Sequence, residues 1–251
     1  MEHIKNKTLI ITGASQGIGE ATARLFAKLG ANVALIARSK EKIKKISNDI
    51  NLNGGKSIAI QCDVSNQDDV ENAIKLTLKS YNAIDILIGN AGIINPIQNI
   101  AEMDISDFDK VIDVNIKGVW YGIKAVLPHM KNGGTIITIG SGAASNALEG
   151  WSHYCTSKAA VHHLSACLDL EMRKDLIRAL VLSPGTVATE MQKIIKKSGV
   201  NPVSKMNWSD HISPDWVAKC LVWMSSSQAD EYLGKVVSLR EEKIRQKIGF
   251  L

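Results

Sequence analysis

Tyr154 and Lys158 are the two residues of this sequence whose types and spacing most directly suggest chemistry. They stand four positions apart in GWSHYCTSK, so on a helix they share one face. A phenol with an ordinary pKa of about 10 is a weak acid, but a neighbouring ammonium favours the phenolate and lowers that pKa. The pair can act as a tuned proton donor, or it can be a phenol packed beside a solvated lysine. The rest of the sequence decides between these interpretations.

A glycine-rich segment near the N-terminus suits a phosphate group. TGASQGIG places Gly13, Gly17 and Gly19 between an apolar run and a helical pattern that ends near Gly30. Glycines allow a tight turn and a close approach of a pyrophosphate to the backbone, where the helix N-terminus offers free N–H groups and a positive dipole end. Because the segment follows a predicted strand and begins a predicted helix, it indicates a dinucleotide site.

The residues after the second apolar run bear on which dinucleotide binds. A carboxylate at this strand end holds the ribose 2′-hydroxyl of NAD, whereas an arginine suits the 2′-phosphate of NADP. Ala37 takes the carboxylate position, Arg38 and Ser39 follow, and the next acid is Glu41. We therefore expect NADP(H) as the cofactor, although an arginine at a strand end can also be simply solvated.

Seven short apolar runs alternate with longer segments of helical periodicity, and no linker or repeat divides the chain. This alternation is typical of βαβ units whose strands are buried on both faces. We expect residues 1–251 to form a single α/β domain, a doubly wound Rossmann-type fold with a parallel sheet of about seven strands and helices on both faces. The runs cover residues 8–11, 33–37, 57–60, 84–88, 135–139, 179–182 and 236–239.

Two predicted helices, 107–130 and 152–172, carry apolar residues on nearly every side. A helix that packs only on its own sheet needs one apolar stripe. We therefore expect a homodimer or homotetramer that associates through these two helices. The alternative is that both helices lie in the interior of a larger monomeric fold.

Composition excludes several classes of protein. With 45% hydrophobic and 22% charged residues in 251, the chain has the composition of an ordinary globular protein. It has no apolar run of membrane-spanning length and no secretory signal, so we expect a cytoplasmic location and no membrane partner. The net charge is +5, but the lysines are dispersed among acids, as in RSKEKIKKISND, so we expect no nucleic-acid partner.

The cysteines and histidines give no sign of a metal site. The cysteines show no CxxC pattern and no cluster at metal-ligand spacing, and we expect them to be reduced. His153, His162 and His163 also lack partners at metal or triad spacing, so they are assigned no role. The cysteines are Cys62, Cys155, Cys167 and Cys220.

The sequence resembles the classical short-chain dehydrogenases/reductases over essentially its whole length. TGASQGIG matches the family's TGxxxGxG, CDV resembles its adenine-binding strand end, GNAG resembles NNAG with Gly89 in place of the first Asn, and SPGTVATEM contains PGxVxT. Gln16 stands where many NADP-preferring members carry a basic residue, so the NADP expectation depends mainly on Arg38. The resemblance implies cofactor contacts at Gly13, Ser15, Gln16, Gly17, Ile18, Gly19, Arg38, Ser39, Asp63, Val64, Asn90, Ala91, Gly92, Tyr154, Lys158, Pro184, Gly185, Val187 and Thr189.

The same resemblance implies a catalytic set. DVNIKG places Asn115 at the family's catalytic asparagine, and TIGSGAAS places Ser141 at its serine, thirteen residues before Tyr154. Reducing a carbonyl with hydride develops negative charge on its oxygen, so Tyr154 would donate a proton and Ser141 a hydrogen bond. Lys158 would lower the pKa of Tyr154 and hold the nicotinamide ribose. Asn115 would interrupt its helix and hold a water that links Lys158 to solvent.

A narrower resemblance bears on the substrate. SGAA, GW before YCTSK and PGTVATEMQ are similar to the sepiapterin reductase and benzil reductase group, which implies NADPH-dependent reduction of a ketone or vicinal dicarbonyl, a small-molecule carbonyl substrate. Residues 190–212 are the expected substrate lid. Trp151 suits either an apolar wall for the substrate or a core anchor. The expected substrate contacts are Ser141, Trp151, Tyr154 and Met191.

Several alternatives stay open. The lid lysines Lys193, Lys196 and Lys197 suit an acidic or carrier-bound substrate, or they form a solvated helix face. The nearest enzymatic alternatives are a 3-oxoacyl thioester reductase, acting on acyl-carrier or coenzyme A thioesters, and another alcohol dehydrogenase of the family. An alternative of another class is an NADP-sensing binding protein that has the fold without the catalysis.

Overall fold

Seven strands form one parallel sheet in the computed structural model, which describes residues 2–250. Their order is β3-β2-β1-β4-β5-β6-β7, and every neighbouring pair is parallel. The predicted doubly wound parallel sheet is confirmed, and each strand overlaps the apolar run that predicted it. The strands are β1 (Thr8–Thr12), β2 (Asn32–Ala37), β3 (Lys56–Gln61), β4 (Ile86–Gly89), β5 (Gly134–Ile139), β6 (Ile177–Ser183) and β7 (Val236–Ser238).

Helices connect the strands and cover the sheet. Short 3₁₀ turns occupy several of the remaining connections, and a π-helical turn, Asp113–Lys117, joins two of the α-helices. The α-helices are α1 (Gly17–Lys28), α2 (Lys40–Leu52), α3 (Gln67–Tyr81), α4 (Ile105–Ile112), α5 (Gly118–Val126), α6 (Ser152–Met172), α7 (Glu190–Ser198), α8 (Pro214–Met224) and α9 (Glu242–Lys247).

The two faces of the sheet are buried under different helices. Leu9 and Ile11 of β1 belong to a core that includes Phe26 of α1. Ile10, which lies between them, belongs to a second core with Val161 of α6. Successive side chains of a strand point to opposite faces, so a strand covered on both sides must be apolar at every position. This is why β1 reads as a continuous apolar run.

The helix predicted over residues 107–130 is not continuous. The π-helical turn separates α4 from α5, and in it the Gly118 N–H bonds to the Asp113 carbonyl five residues earlier. Such a turn inserts one extra residue into the helical path. It agrees with the interruption expected at Asn115, whose side chain is buried. The helix predicted over 152–172 is observed with those bounds as α6.

These helices expose several large apolar side chains. Ile105 is 79% exposed, Trp120 50% and Leu170 83%. Other apolar residues of the same helices, such as Val111 and Ile123, are buried in the chain's own core. Some of the apolar residues on these helices are therefore buried in the chain's own core, and the others lie exposed at the surface.

Residues 2–250 contain no helix that is long and apolar enough to cross a bilayer. Within the same range, no three or more His, Cys, Asp or Glu side chains come together as a group that can hold a metal ion. All four cysteines are free, and two of them, Cys62 and Cys220, are buried.

Candidate active site

The carboxyl ends of the strands surround a cleft of about 620 Å³. It lies where the chain order reverses, since β1 stands between β2 and β4, and open α/β sheets bind ligands at such a crevice. The predicted cofactor and substrate residues line the cleft, with the exception of Gly19. Of the predicted catalytic residues, Ser141, Tyr154 and Lys158 line it, whereas Asn115 lies behind its wall.

The glycine-rich loop has the geometry that a pyrophosphate needs. Gly13 and Gly17 have φ angles of +66° and +58°, in the left-handed region that favours glycine. A Cβ on Gly19 would lie 2.3 Å from the Gly13 carbonyl oxygen, so Gly19 serves the packing beneath the loop. The loop brings the N-terminus of α1 to the cleft, and the first N–H groups of a helix have no partner within it. These features fit a dinucleotide phosphate.

Asn90 holds the glycine-rich loop in place. Its side-chain amide donates hydrogen bonds to the carbonyl oxygens of Thr12 (2.8 Å) and Gly13 (3.2 Å). The Thr12 hydroxyl in turn accepts from the backbone N–H groups of Asn90 and Ala91, both at 3.0 Å. The Asn90 amide therefore positions the loop, and its contact with the cofactor stays a prediction. Thr12 was not predicted, because in the sequence it is simply the last residue of an apolar strand.

Two cationic side chains line the cleft beyond β2. Arg38 and Lys42 are both exposed there, with Ser39 beside them. Lys42 was not predicted as a residue of the cleft, although its spacing of four residues from Arg38 could have indicated that the two lie close together. Asp63, two residues after β3, also lines the cleft, and its carboxylate accepts hydrogen bonds from the N–H and hydroxyl of Ser65. This part of the cleft is therefore lined by two cations and one carboxylate.

Burial controls the acidity of Tyr154 and Lys158. The Lys158 ammonium lies 5.6 Å from the centre of the Tyr154 ring. Burial raises the pKa of Tyr154 to about 12, and a hydrogen bond with Ser141 acts against that rise. Burial also lowers the pKa of Lys158 to about 8. Loss of solvent is the largest influence on the pKa of Tyr154 in the protein alone. The lowering expected from Lys158 together with a positive nicotinamide ring stays a prediction. At neutral pH Tyr154 is a neutral phenol, the form that a proton donor requires.

Ser141 and Lys158 are both fixed by backbone contacts at the end of β5. The Ser141 hydroxyl oxygen accepts a hydrogen bond from the Ala143 N–H at 3.1 Å, at the start of the short turn Gly142–Ala144. Its own O–H is the donor to the Tyr154 oxygen, since a hydrogen bond that lowers the pKa of a phenol is donated to it. The Lys158 ammonium donates to the Ile139 carbonyl at 2.7 Å. The hydroxyl and the ammonium therefore approach the cleft from fixed backbone positions.

Asn115 positions the wall of the site from behind. Its side-chain oxygen accepts from the Ile93 N–H at 2.8 Å, and its nitrogen donates to the Ile93 carbonyl at 2.9 Å and to the Ser157 hydroxyl at 3.0 Å. At Gly92 a Cβ would lie 3.4 Å from the Asn115 oxygen and 3.6 Å from the Lys158 nitrogen. Asn115 therefore holds the loop after β4 against α6. Ser157 was not predicted, because within YCTSK it resembles a spacer.

An apolar chamber adjoins Tyr154. Ile94, Ala143, Trp151 and Ile195 form a small buried cluster with Tyr154 and also line the cleft. Trp151 meets Tyr154 edge to face, with 5.6 Å between ring centres and 83° between ring planes. Trp151 packs in this core and also lines the cleft, so its role as a wall for the substrate stays a prediction. The chamber suits a substrate with an apolar flank.

The predicted lid segment 190–212 contains α7 and two 3₁₀ turns, Pro202–Lys205 and Trp208–Asp210. Met191 and Gln192 line the cleft from α7. The three lysines singled out in this segment are exposed and lie outside the cleft lining, which supports their interpretation as a solvated helix face. Arg240, which follows β7, does line the cleft. It was not predicted, because nothing in its local sequence marks it.

Comparison with known proteins agrees with this geometry. Residues 7–198 match the family described as short chain dehydrogenase. An uncharacterized oxidoreductase of Listeria monocytogenes is 35% identical over 232 residues, which cover 90% of this chain and 93% of that protein. The structures of a 3-ketoacyl-(acyl-carrier-protein) reductase from Brucella melitensis with NADH and of a short chain dehydrogenase from Burkholderia cenocepacia with NADP each have a TM-score of 0.84 and 26% identity, and cover 94% of this chain and 97% of theirs. The chain belongs to the short-chain dehydrogenase family of oxidoreductases.

Proposed function

We propose that this chain is an NADPH-dependent carbonyl reductase that converts a ketone or vicinal dicarbonyl to an alcohol. When bound, the nicotinamide supplies the hydride. The observation that carries the proposal is that Ser141, Tyr154 and Lys158 line one cleft together with the glycine-rich loop, beside an apolar chamber. A neutral donor beside an apolar space is what reduction of a carbonyl requires.

Each side chain of the site has a different role in the proposed reaction. Ser141 turns its O–H from the Tyr154 oxygen to the carbonyl oxygen of the substrate and orients it, and Tyr154 transfers the proton as negative charge develops there. The Lys158 ammonium, one helical turn along α6, favours the phenolate that proton transfer leaves behind. Asn115 acts through the backbone of Ile93 and is a positioning residue. General acid catalysis of this kind contributes roughly 10²–10⁴-fold to a rate.

The choice of NADPH over NADH is supported by the two cations beyond β2. Arg38 and Lys42 face the part of the cleft next to Asp63, and Ala37 stands where an NAD-binding carboxylate would be expected. Relatives of known structure include one complexed with NADH and one complexed with NADP, so similarity alone does not separate the two. The proposal therefore depends on Arg38 and Lys42.

The apolar chamber supports a small uncharged ketone or diketone as substrate. Ile94, Trp151 and Ile195 bury their side chains around it, and α7 of the proposed lid, residues 190–212, forms one wall. The second candidate is a 3-oxoacyl thioester, which the similarity to the Brucella melitensis reductase favours. An acyl chain would also suit the apolar walls, so turnover must separate the two.

A substrate panel tests the proposed function. Oxidation of NADPH and of NADH is measured against benzil-like diketones, a pterin ketone and acetoacetyl thioesters. The proposal expects fastest turnover of a diketone or pterin with NADPH. Preference for the thioesters would assign the second candidate, and tight NADPH binding without reduction of any substrate would assign a nucleotide-sensing role.

We also propose that the chain forms a homo-oligomer through α4, α5 and α6. The exposed apolar side chains of Ile105, Trp120 and Leu170 support this, because burying them against a second copy would remove apolar surface from water.

A further inference from the structure

Gly140 is a glycine for reasons of space. It continues the path of β5, and its N–H donates to the Leu182 carbonyl at 2.8 Å, so its backbone makes an ordinary ladder contact. A Cβ at Gly140 would lie 2.1 Å from Nε2 of His162 and 2.7 Å from a methyl carbon of Val181. The missing side chain therefore makes room for the imidazole of His162, directly before the serine of the candidate site.

His162 uses that space to contact the backbone of Ser141. Its Nε2 atom accepts a hydrogen bond from the Ser141 N–H at 3.3 Å. Accepting at Nε2 requires the neutral ring with its proton on Nδ1. Burial, together with the positive charge of Lys158, lowers the pKa of His162 to about 4, so the ring is neutral at physiological pH. The contact therefore satisfies a backbone N–H that lies between the strand end and the following turn.

The contact also links the residues of the site along one helix. Tyr154, Lys158 and His162 follow one another at four-residue spacing on α6, so they lie along the same face. Lys158 bonds to the carbonyl of Ile139, and His162 bonds to the N–H of Ser141. Two successive turns of α6 thus hold the end of β5.

We propose that His162 is a positioning residue, which fixes the backbone of Ser141 so that its hydroxyl is aligned with Tyr154, and that Gly140 is its necessary companion. The effect on turnover rests on the proposed function. Small displacements of a catalytic group cost up to about 10²-fold in rate, so loss of this one contact should cost roughly tenfold.

Three variants test the proposal with the best substrate of the panel. His162→Leu removes the acceptor and should lower kcat about tenfold with a smaller change in KM. His162→Gln places an acceptor oxygen near the position of Nε2 and should keep most of the wild-type kcat. Gly140→Ala should repeat the loss, because its Cβ displaces the ring. His163→Leu, at the exposed neighbouring position, is the matched control and should behave as the wild type.

A double variant separates positioning from a general structural effect. If His162 acts through Ser141, His162→Leu should cost nothing further in a Ser141→Ala background. An undiminished additional loss there, or wild-type kcat in His162→Leu, would overturn the proposal. A second readout needs no substrate: nitrogen NMR of histidine-labelled wild-type protein at pH 7 should show the Nδ1–H form of His162. The Nε2–H form would refute the contact even if the proposed function holds, whereas the Nδ1–H form in a protein that reduces nothing would refute the proposed function alone.

Discussion

Replacing Arg38 with aspartate should shift the cofactor preference toward NADH. A hydrogen bond to a charged group contributes about 1.5–3 kcal/mol, and since Arg38 is exposed to solvent the lower half of that range applies. Removing it should therefore weaken NADPH binding by about 10–40-fold. The new carboxylate would repel the 2′-phosphate and accept from the ribose hydroxyl of NADH, so the preference ratio should change by about 10² or more. Lys42 stays in place, so some NADPH binding should persist.

The assay compares kcat/KM for NADPH and NADH at one fixed substrate concentration. Lys45→Asp is the matched control, because Lys45 is exposed on the same helix α2 but does not line the cleft. It introduces the same change of charge, so any long-range effect of charge appears in both variants. An unchanged ratio in Arg38→Asp, or an equal shift in both variants, would refute the assignment of Arg38 to the cofactor site.

Two further predictions concern assembly and pH. Trp120→Glu should dissociate the proposed oligomer into smaller species in light scattering, whereas Leu52→Glu, at an exposed apolar position of α2, should not. Identical masses for both variants would contradict the proposed interface. The pKa of His162 is lowered from 6.5 to about 4 by burial and by Lys158, so below pH 6.5 the unfolded chain binds more protons than the folded one. The stability gained from a neutral His162 is complete above pH 6.5 and is lost as the pH falls toward 4. In urea unfolding at pH 7, 6 and 5, the free energy of unfolding should therefore fall less with pH in His162→Gln than in the wild type. An equal fall in both proteins would contradict the lowered pKa of His162.

The sheet and the main features of the site follow from local sequence. Doubly buried strands must be apolar at every position, so runs such as 8–11 predict β1 without any knowledge of its neighbours. The glycines of the first loop and the spacing from Tyr154 to Lys158 likewise carry their meaning within a few residues. The single sheet and its connections then bring Ser141 and the glycine-rich loop to one cleft.

The features that were missed depend on contacts between distant parts of the chain. The interruption expected at Asn115 is present as a π-helical turn, but the hydrogen bonds of its side chain to the backbone of Ile93 could not be read from the helical pattern. The pairing of Gly140 with His162 joins residues 22 positions apart, and neither residue is unusual in its own segment. The pKa of Tyr154 is raised by burial within the whole fold, which no local pattern of the sequence reports.

Turnover by Tyr154→Phe tests the central claim most directly. The substitution removes the hydroxyl and keeps the ring that packs against Trp151, so the chamber and the cofactor cleft should persist. With the best carbonyl substrate of the panel, kcat should fall by at least about 10²-fold, while the Kd for NADPH changes by less than about threefold. Turnover within about tenfold of the wild type would contradict the role of Tyr154 as the proton donor.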